Sequence, residues 1–148
     1  MRIAFAADHA AVALKSVLAD WAREQGHEVE DLGPYDESSV DYPDYGYKLA
    51  AAIASGEADF GVALCGSGIG ISIAVNRNPA CRCARVSDGL SARLARQHND
   101  ANVIAMGARL VGVDLARHCL EEFLNTGFDG GRHARRVDKL THPSKEPA

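Results

Sequence analysis

Short apolar runs alternating with amphipathic segments along nearly the whole chain are the feature that most restricts its fold. Arg2-Ile-Ala-Phe-Ala-Ala7 has strand length, and behind it Leu14, Val17, Leu18 and Trp21 recur at the i, i+3, i+4, i+7 spacing of one helix face. Gly26 suits the position just past a helix end. His27-Glu-Val-Glu-Asp-Leu32 alternates like a short strand at or near a sheet edge. After a loop over 33–46, in which Pro43 marks where a helix can begin, Tyr47, Ala50, Ile53 and Ala54 give the next apolar face, and Ser55-Gly56 ends it. A buried strand at Phe60–Leu64 runs into the turn Cys65-Gly-Ser-Gly-Ile-Gly70. A short helix over Ile71–Asn76 follows, stopped by Asn-Arg-Asn-Pro79.

The alternation then repeats. It gives a strand near Cys81–Val86, a helix near Gly89–Gln97, a strand at Asn102–Met106 and a helix near Val113–Leu124 with Ala116, Leu120, Phe123 and Leu124 facing inward. Five strand–helix units with short connections predict the α/β class: a five-stranded parallel sheet covered on both faces and joined by right-handed crossovers. At 148 residues one core suffices, and no linker interrupts the pattern, so 1–148 reads as a single domain. Gly130-Gly-Arg-His-Ala-Arg-Arg136 reads as a basic helical turn, and 141–148, with two prolines, as a frayed tail.

Composition narrows the function. With 47% apolar and 24% charged residues, the chain is neither disordered, collagenous nor a disulfide-stapled miniprotein. No run approaches the ~18 apolar residues that span a bilayer. Asp8 directly after the first apolar stretch makes the start a strand rather than a secretory signal, so no membrane partner and a cytoplasmic location are expected. A formal charge of −4 lacks the basic footprint of a nucleic-acid binder. Residues 1–60 carry four Lys/Arg against twelve Asp/Glu, and 61–148 carry twelve against eight, so an anionic ligand would lean on the second half. Cys65, Cys81, Cys83 and Cys119 show no C-x-x-C spacing and are expected to be reduced thiols. Cys81 and Cys83, two apart in a strand, share a face and read as buried small apolar residues.

In a doubly wound sheet, ligands bind beyond the carboxyl ends of the strands. The residues there are Asp8-His9, the glycine turn at 65–70, Ser87-Asp88 and Gly107-Ala-Arg109. Gly66, Gly68 and Gly70 let backbone N–H groups approach a ligand at a helix N-terminus, an anion nest. Their spacing is neither the dinucleotide nor the P-loop fingerprint. Cys65 reads equally as a packed strand end or as a thiol made reactive by the adjoining helix terminus. His9 and His98 sit at element ends and read as structural or catalytic. Arg132 and Arg136 share a face if the tail is helical, a fork suited to phosphate, and otherwise form a solvated basic tail. Of the clustered Tyr35, Tyr42, Tyr45 and Tyr47, one is expected to line the site while the rest pack.

Taken together, Asp8-His9, Asp41-Tyr42-Pro43, Cys65-Gly-Ser-Gly-Ile-Gly-Ile-Ser72, Arg96-Gln-His-Asn-Asp-Ala-Asn102, Gly107-Ala-Arg109 and Gly130–Arg136 resemble, in order over 1–140, the ribose-5-phosphate isomerase B family. That family includes galactose-6-phosphate isomerase subunits. The resemblance implies a Rossmann-like, flavodoxin-type three-layer sandwich and metal-free, cofactor-free interconversion of aldose and ketose phosphates in carbohydrate metabolism. It also implies homodimers whose sites are shared between subunits, and it leaves open whether dimers pair into tetramers. By position, Cys65 matches the base that moves a proton between C1 and C2, Ser67 the hydroxyl that helps shuttle protons between the substrate oxygens, and His98 the ring-opening residue supplied by the partner subunit, with Asn99 beside it. Asp8 would hold a sugar hydroxyl or ring oxygen, and Tyr42 would line the pocket. His9, Arg132 and Arg136 match the phosphate grip, with Arg109 joining from the neighbouring chain.

The residues also make chemical sense without the family: a base over an acidic carbon, amide donors at Gly66–Gly70 for the enediolate, and cations for a remote dianion. Some relatives lack the cysteine and carry a glutamate where this chain has Ile71, so this chain is of the cysteine type. Ser67 in place of threonine is a mild departure, and Cys81 and Cys83 have no assigned role. Allose 6-phosphate, galactose 6-phosphate and erythrose 4-phosphate are alternative substrates, and activity on ribose 5-phosphate would place the chain in the pentose phosphate pathway. A non-catalytic phosphate-ligand module on the same fold would bind sugar phosphate without exchanging its protons with solvent.

Overall fold

The order of the strands follows from how apolar each one is. The computed structural model describes residues 1–144. In chain order they form β1 (Arg2–Ala7), a 3₁₀ turn at His9–Ala11, α1 (Val12–Glu24), β2 (Glu28–Asp31), α2 (Tyr42–Ala54), β3 (Phe60–Cys65), α3 (Ile69–Val75), β4 (Cys83–Arg85), α4 (Gly89–Asn99), β5 (Val103–Gly107), α5 (Val113–Leu124) and α6 (Arg132–Thr141). The five strands make one sheet in the order β2-β1-β3-β5-β4, every pairing parallel. This is the flavodoxin-like α/β class that the alternation predicts, with the last two strands exchanged. β5, Val-Ile-Ala-Met-Gly, is buried throughout and takes the interior place, whereas the three-residue β4, Cys-Ala-Arg, is half-exposed and takes the edge. The Asn76 side chain protects that edge by donating to the Cys83 carbonyl at 2.9 Å and accepting from the Cys83 N–H at 2.8 Å.

The pleat divides the core by size. Ile3, Phe5, Val62, Leu64, Ile104 and Met106 project to one face, where α1, α4 and α5 cover them with Leu18, Ala92, Leu120 and Phe123. Ala4, Ala6, Ala63, Cys65 and Ala105 project to the other, beneath α2 and α3 with Leu49, Ala50, Ile71 and Val75. Each large buried side chain contributes about 1.5–3 kcal/mol.

The predicted helix faces need correction in two places. On α2 the core face is Gly46, Leu49 and Ala50, with Ile53 half-buried, while Tyr47 and Ala54 are exposed. The alanine-rich sheet face and α3 demand close approach, and a Cβ at Gly46 would already lie 2.9 Å from the Ala74 Cβ, so a tyrosine cannot take that side. On α1, Val17 is exposed and the unanticipated Lys15 is buried at 1% exposure. Its ammonium reaches Asp31 Oδ1 and Oδ2 at 2.5 and 2.7 Å, and Asp31 Oδ1 also accepts the Gly33 N–H. That ion pair ties α1 to the end of β2 and the start of the 33–41 loop. Tyr45 is half-buried as expected, but Tyr35 and Tyr47 are exposed rather than packed.

β4 is shorter than the predicted 81–86. Cys81 and Cys83 nevertheless pack against the same core cluster, and burial pushes the Cys81 thiol up to about 11 and the Cys83 thiol higher still, which makes both poor nucleophiles. The basic turn is a full ten-residue helix, α6, and of the expected frayed tail, residues 145–148 lie outside the described residues. Among the described residues, no helix is long and apolar enough to cross a membrane.

Candidate active site

The chain leaves β1 to one side of the sheet and β3 to the other, and such a reversal opens a crevice beyond the strand ends. A cleft of about 290 Å³ occupies it, lined by Asp8, Tyr42, Cys65, Gly66, Ser67, Gly70, Arg109 and Leu110. Cys65 ends β3 and is 4% exposed. The Gly68 N–H donates to its sulfur at 3.1 Å, and the Ile69 N–H donates to Ser67 Oγ at 3.2 Å. Two of the expected nest amides are therefore engaged by the loop's own side chains, which corrects the picture of an open anion cradle over Gly66–Gly70.

The glycines serve a different purpose from the one their spacing suggested. Gly68 sits at φ +76°, and a Cβ there would lie 2.6 Å from the Met106 carbonyl carbon. A Cβ on Gly70 would strike the Tyr42 ring at 2.6 Å. The loop is thus pressed onto the end of β5 and against Tyr42, which fixes the direction of Cys65 and Ser67.

Asp8 is 8% exposed, and its Oδ1 accepts the Ala10 N–H at 2.9 Å, so the carboxylate is held as the cap of the 3₁₀ turn while it lines the cleft. His9 is half-buried outside the lining. The Val40 N–H donates to its Nδ1 at 3.1 Å, which leaves Nε2 as the ring nitrogen open to a ligand. Arg109 lines the cleft of its own chain, with its guanidinium over Gly66 and its backbone N–H bonded to the Gly66 carbonyl at 3.0 Å. Asp88, expected on the rim, accepts the Ser91 N–H at 2.6 Å in a capping box that starts α4.

His98, Asn99, Arg132 and Arg136 stand apart from this cleft. His98 and Asn99 end α4, and the turn after them is held from below. Arg96 is buried beneath it and donates from Nη1 to Asp100 Oδ1 at 2.8 Å and to the Ala101 carbonyl at 2.7 Å, while the left-handed Asp100 turns the chain. Arg132 and Arg136 lie one turn apart on α6, both exposed, as the i, i+4 spacing anticipated. The His98 ring stacks on that of His133 with centroids 4.3 Å apart. Sequence reading missed Leu110 as a lining residue and gave His133 no part. Leu110 directly follows the Gly107-Ala-Arg109 segment already placed on the rim, whereas His133 meets His98 from a remote part of the chain, so no spacing could reveal that contact.

Comparison with known proteins decides the family. Residues 3–140 match the Ribose/Galactose Isomerase family. The chain belongs to that family. It is 43% identical to ribose-5-phosphate isomerase B of Escherichia coli over 95% of this chain and 94% of that protein. It is 40% identical to the D-erythrulose-4-phosphate isomerase of Pectobacterium atrosepticum over 95% of this chain and 93% of that protein. The solved ribose 5-phosphate isomerase of Thermotoga maritima superposes with a TM-score of 0.93 at 50% identity, covering 95% of this chain and 97% of that one. The Clostridium thermocellum ribose-5-phosphate isomerase B superposes with a TM-score of 0.94 at 47% identity, with 95% of each chain covered. These isomerase family members share the fold as well as the sequence pattern, with the exchanged strand pair β5-β4 as part of this chain's version of it.

Proposed function

We propose that this protein interconverts ribose 5-phosphate and ribulose 5-phosphate through an enediolate. The observation that carries the reading is the convergence of Cys65, Ser67, Asp8, Tyr42 and Arg109 on one cleft at the ends of β1, β3 and β5. In the open-chain aldose, the Cys65 thiolate takes the C2 proton and the electron pair moves to the C1 carbonyl oxygen, giving a cis-enediolate. The Cys65 thiol returns the proton to C1, while the Ser67 hydroxyl relays the O2 proton to O1, so the ketose forms with atoms and charge balanced. Arg109 and the remaining loop donors face the developing oxyanion. Asp8 holds a sugar hydroxyl.

His98 opens the furanose ring, with Asn99 beside it. His9, Arg132 and Arg136 grip the phosphate. Because His98, Asn99, Arg132 and Arg136 do not line their own chain's cleft, the reading places them at the cleft of a second copy. The working unit is then a cytoplasmic homodimer with two shared sites. Phosphate contacts remote from the reacting carbons fix C1 and C2 over Cys65, and so act on rate as well as affinity.

The test is steady-state turnover with chelator present on ribose 5-phosphate, allose 6-phosphate, galactose 6-phosphate and erythrose 4-phosphate. A large kcat/KM margin for ribose 5-phosphate supports the proposal, and no turnover on any of them overturns it. A four-carbon sugar phosphate is the second reading, favoured by the 40% identity to the D-erythrulose-4-phosphate isomerase.

A further inference from the structure

His98, Asp129 and His133 offer three ligand atoms that all lie within 4.8 Å of one another. They come from three pieces of chain: the C-terminal turn of α4, the 125–131 connection and the first turn of α6. Backbone bonds hold those pieces together. The Asp129 N–H donates to the Gln97 carbonyl at 3.0 Å, next to His98, and the His133 N–H donates to the Gly130 carbonyl at 2.9 Å. The two imidazoles stack with an interplanar angle of 11°, one ring lying over the other.

We propose that His98, Asp129 and His133 form a binding site for a divalent transition-metal ion of the Zn²⁺ type. Two imidazole nitrogens and a carboxylate oxygen are a donor set that suits such an ion, with the fourth position left to water. In a tetrahedral site the ligand atoms stand roughly 3.4 Å apart, and an imidazole coordinates in its own plane, so an ion requires the two rings to turn out of their stack and the Asp129 side chain to swing in. Arg132 and Arg136 on the same helix as His133 carry positive charges that oppose a cation and weaken its binding.

The consequence for turnover rests on the proposed role of His98. A metal ion on its imidazole takes one ring nitrogen and places positive charge on the ring, which opposes uptake of a proton, so occupancy slows ring opening, and a chelator restores it. The site is thus an inhibitory one that zinc-type ions would exploit, and not a cofactor site.

The experiment titrates the chelator-stripped full chain with Zn²⁺ alone by calorimetry, and with Co²⁺ by absorption. Expected are one ion per chain and a weakening of about tenfold or more in both Asp129→Asn and His133→Ala, since changes outside the ligand shell alone cost about 10–100-fold in affinity. Asp129→Asn should keep metal-free turnover and lose sensitivity to Zn²⁺. Absence of binding, unchanged affinity in both variants, or a thiolate-to-cobalt charge-transfer band placing the ion on a cysteine would each overturn the site. Binding at the triad with undiminished turnover would leave the metal site standing and overturn the role given to His98.

Discussion

Gly68 donates its backbone N–H to the Cys65 sulfur at 3.1 Å while its own Cα faces the Met106 carbonyl, so one residue both orients the sulfur and seats its loop on β5. Gly68→Ala sets a side chain at φ +76° and a methyl 2.6 Å from backbone. The left-handed conformation alone costs about 1–2 kcal/mol, and the contact adds to it. Thermal melting should drop by several degrees, and kcat should fall although Cys65 is untouched. A variant with unchanged melting and unchanged kcat would show that this loop geometry does not position the sulfur.

Cys65→Ala removes a side chain that sits at the small-residue face of the sheet, so the fold should survive while kcat drops by about 10²–10⁴, the usual contribution of a positioned base. Melting temperature and steady-state kcat, measured together, separate loss of chemistry from loss of structure. Full activity in this variant would sink the assignment of Cys65 as base.

How much of this was legible in the chain depended on range. The alternation of 3.6- and 2-residue periods is local, and it revealed the α/β class and most elements to within a few residues, but not the start of α2 at Tyr42 or the length of α6. The placement of β5 inside β4 is not local. It follows from comparing how completely each strand can be buried, which the half-polar Cys83-Ala-Arg85 signals only once the sheet is closed. Cys65, Ser67 and Asp8 lay at or just beyond predicted strand ends and were found there, whereas Tyr42, read in the loop over 33–46, begins α2. Lys15 hid in a helix pattern because its partner, Asp31, sits on another element. The purpose of Gly70 depended on Tyr42, which is far away in the sequence.

Lys15 is buried against Asp31, and truncating one member of such a pair strands the other. Asp31 keeps partial access to water, so Lys15→Ala should lose about 3 kcal/mol, at the low end of the range for buried pairs. Urea unfolding of Lys15→Ala and of the double variant Lys15→Met/Asp31→Leu checks this. The double variant should recover much of the loss, and equal losses in both would mean that the pair itself contributes net stability.

The α4 cap predicts an acid response. Hydrogen bonds from the Ser91 and Leu90 backbone and the Ser91 hydroxyl hold Asp88 below its ordinary value of 3.8. The stabilisation is therefore present above pH 3.8 and is lost as pH falls through the lower folded value. Asp88→Asn keeps a good capping acceptor but cannot titrate. Its acid unfolding should consequently depend less steeply on pH than that of the parent below about pH 4. Identical acid limbs would remove Asp88 as a contributor.

Because His98 does not line the cleft holding Cys65 in its own chain, a site containing both is expected to draw them from two copies. Cys65→Ala and His98→Ala should each be nearly inactive alone. Mixed under conditions that allow subunit exchange, half the dimers become heterodimers. In each of these, the isologous arrangement puts both intact residues in one site and both substitutions in the other. Activity should then recover to about one quarter of the parent's, read as kcat per chain after equimolar mixing. Mass spectrometry of the mixture confirms that heterodimers have formed. Heterodimers without recovered activity would mean that His98 serves the cleft of its own chain through a movement of α4, and the shared-site reading would fall.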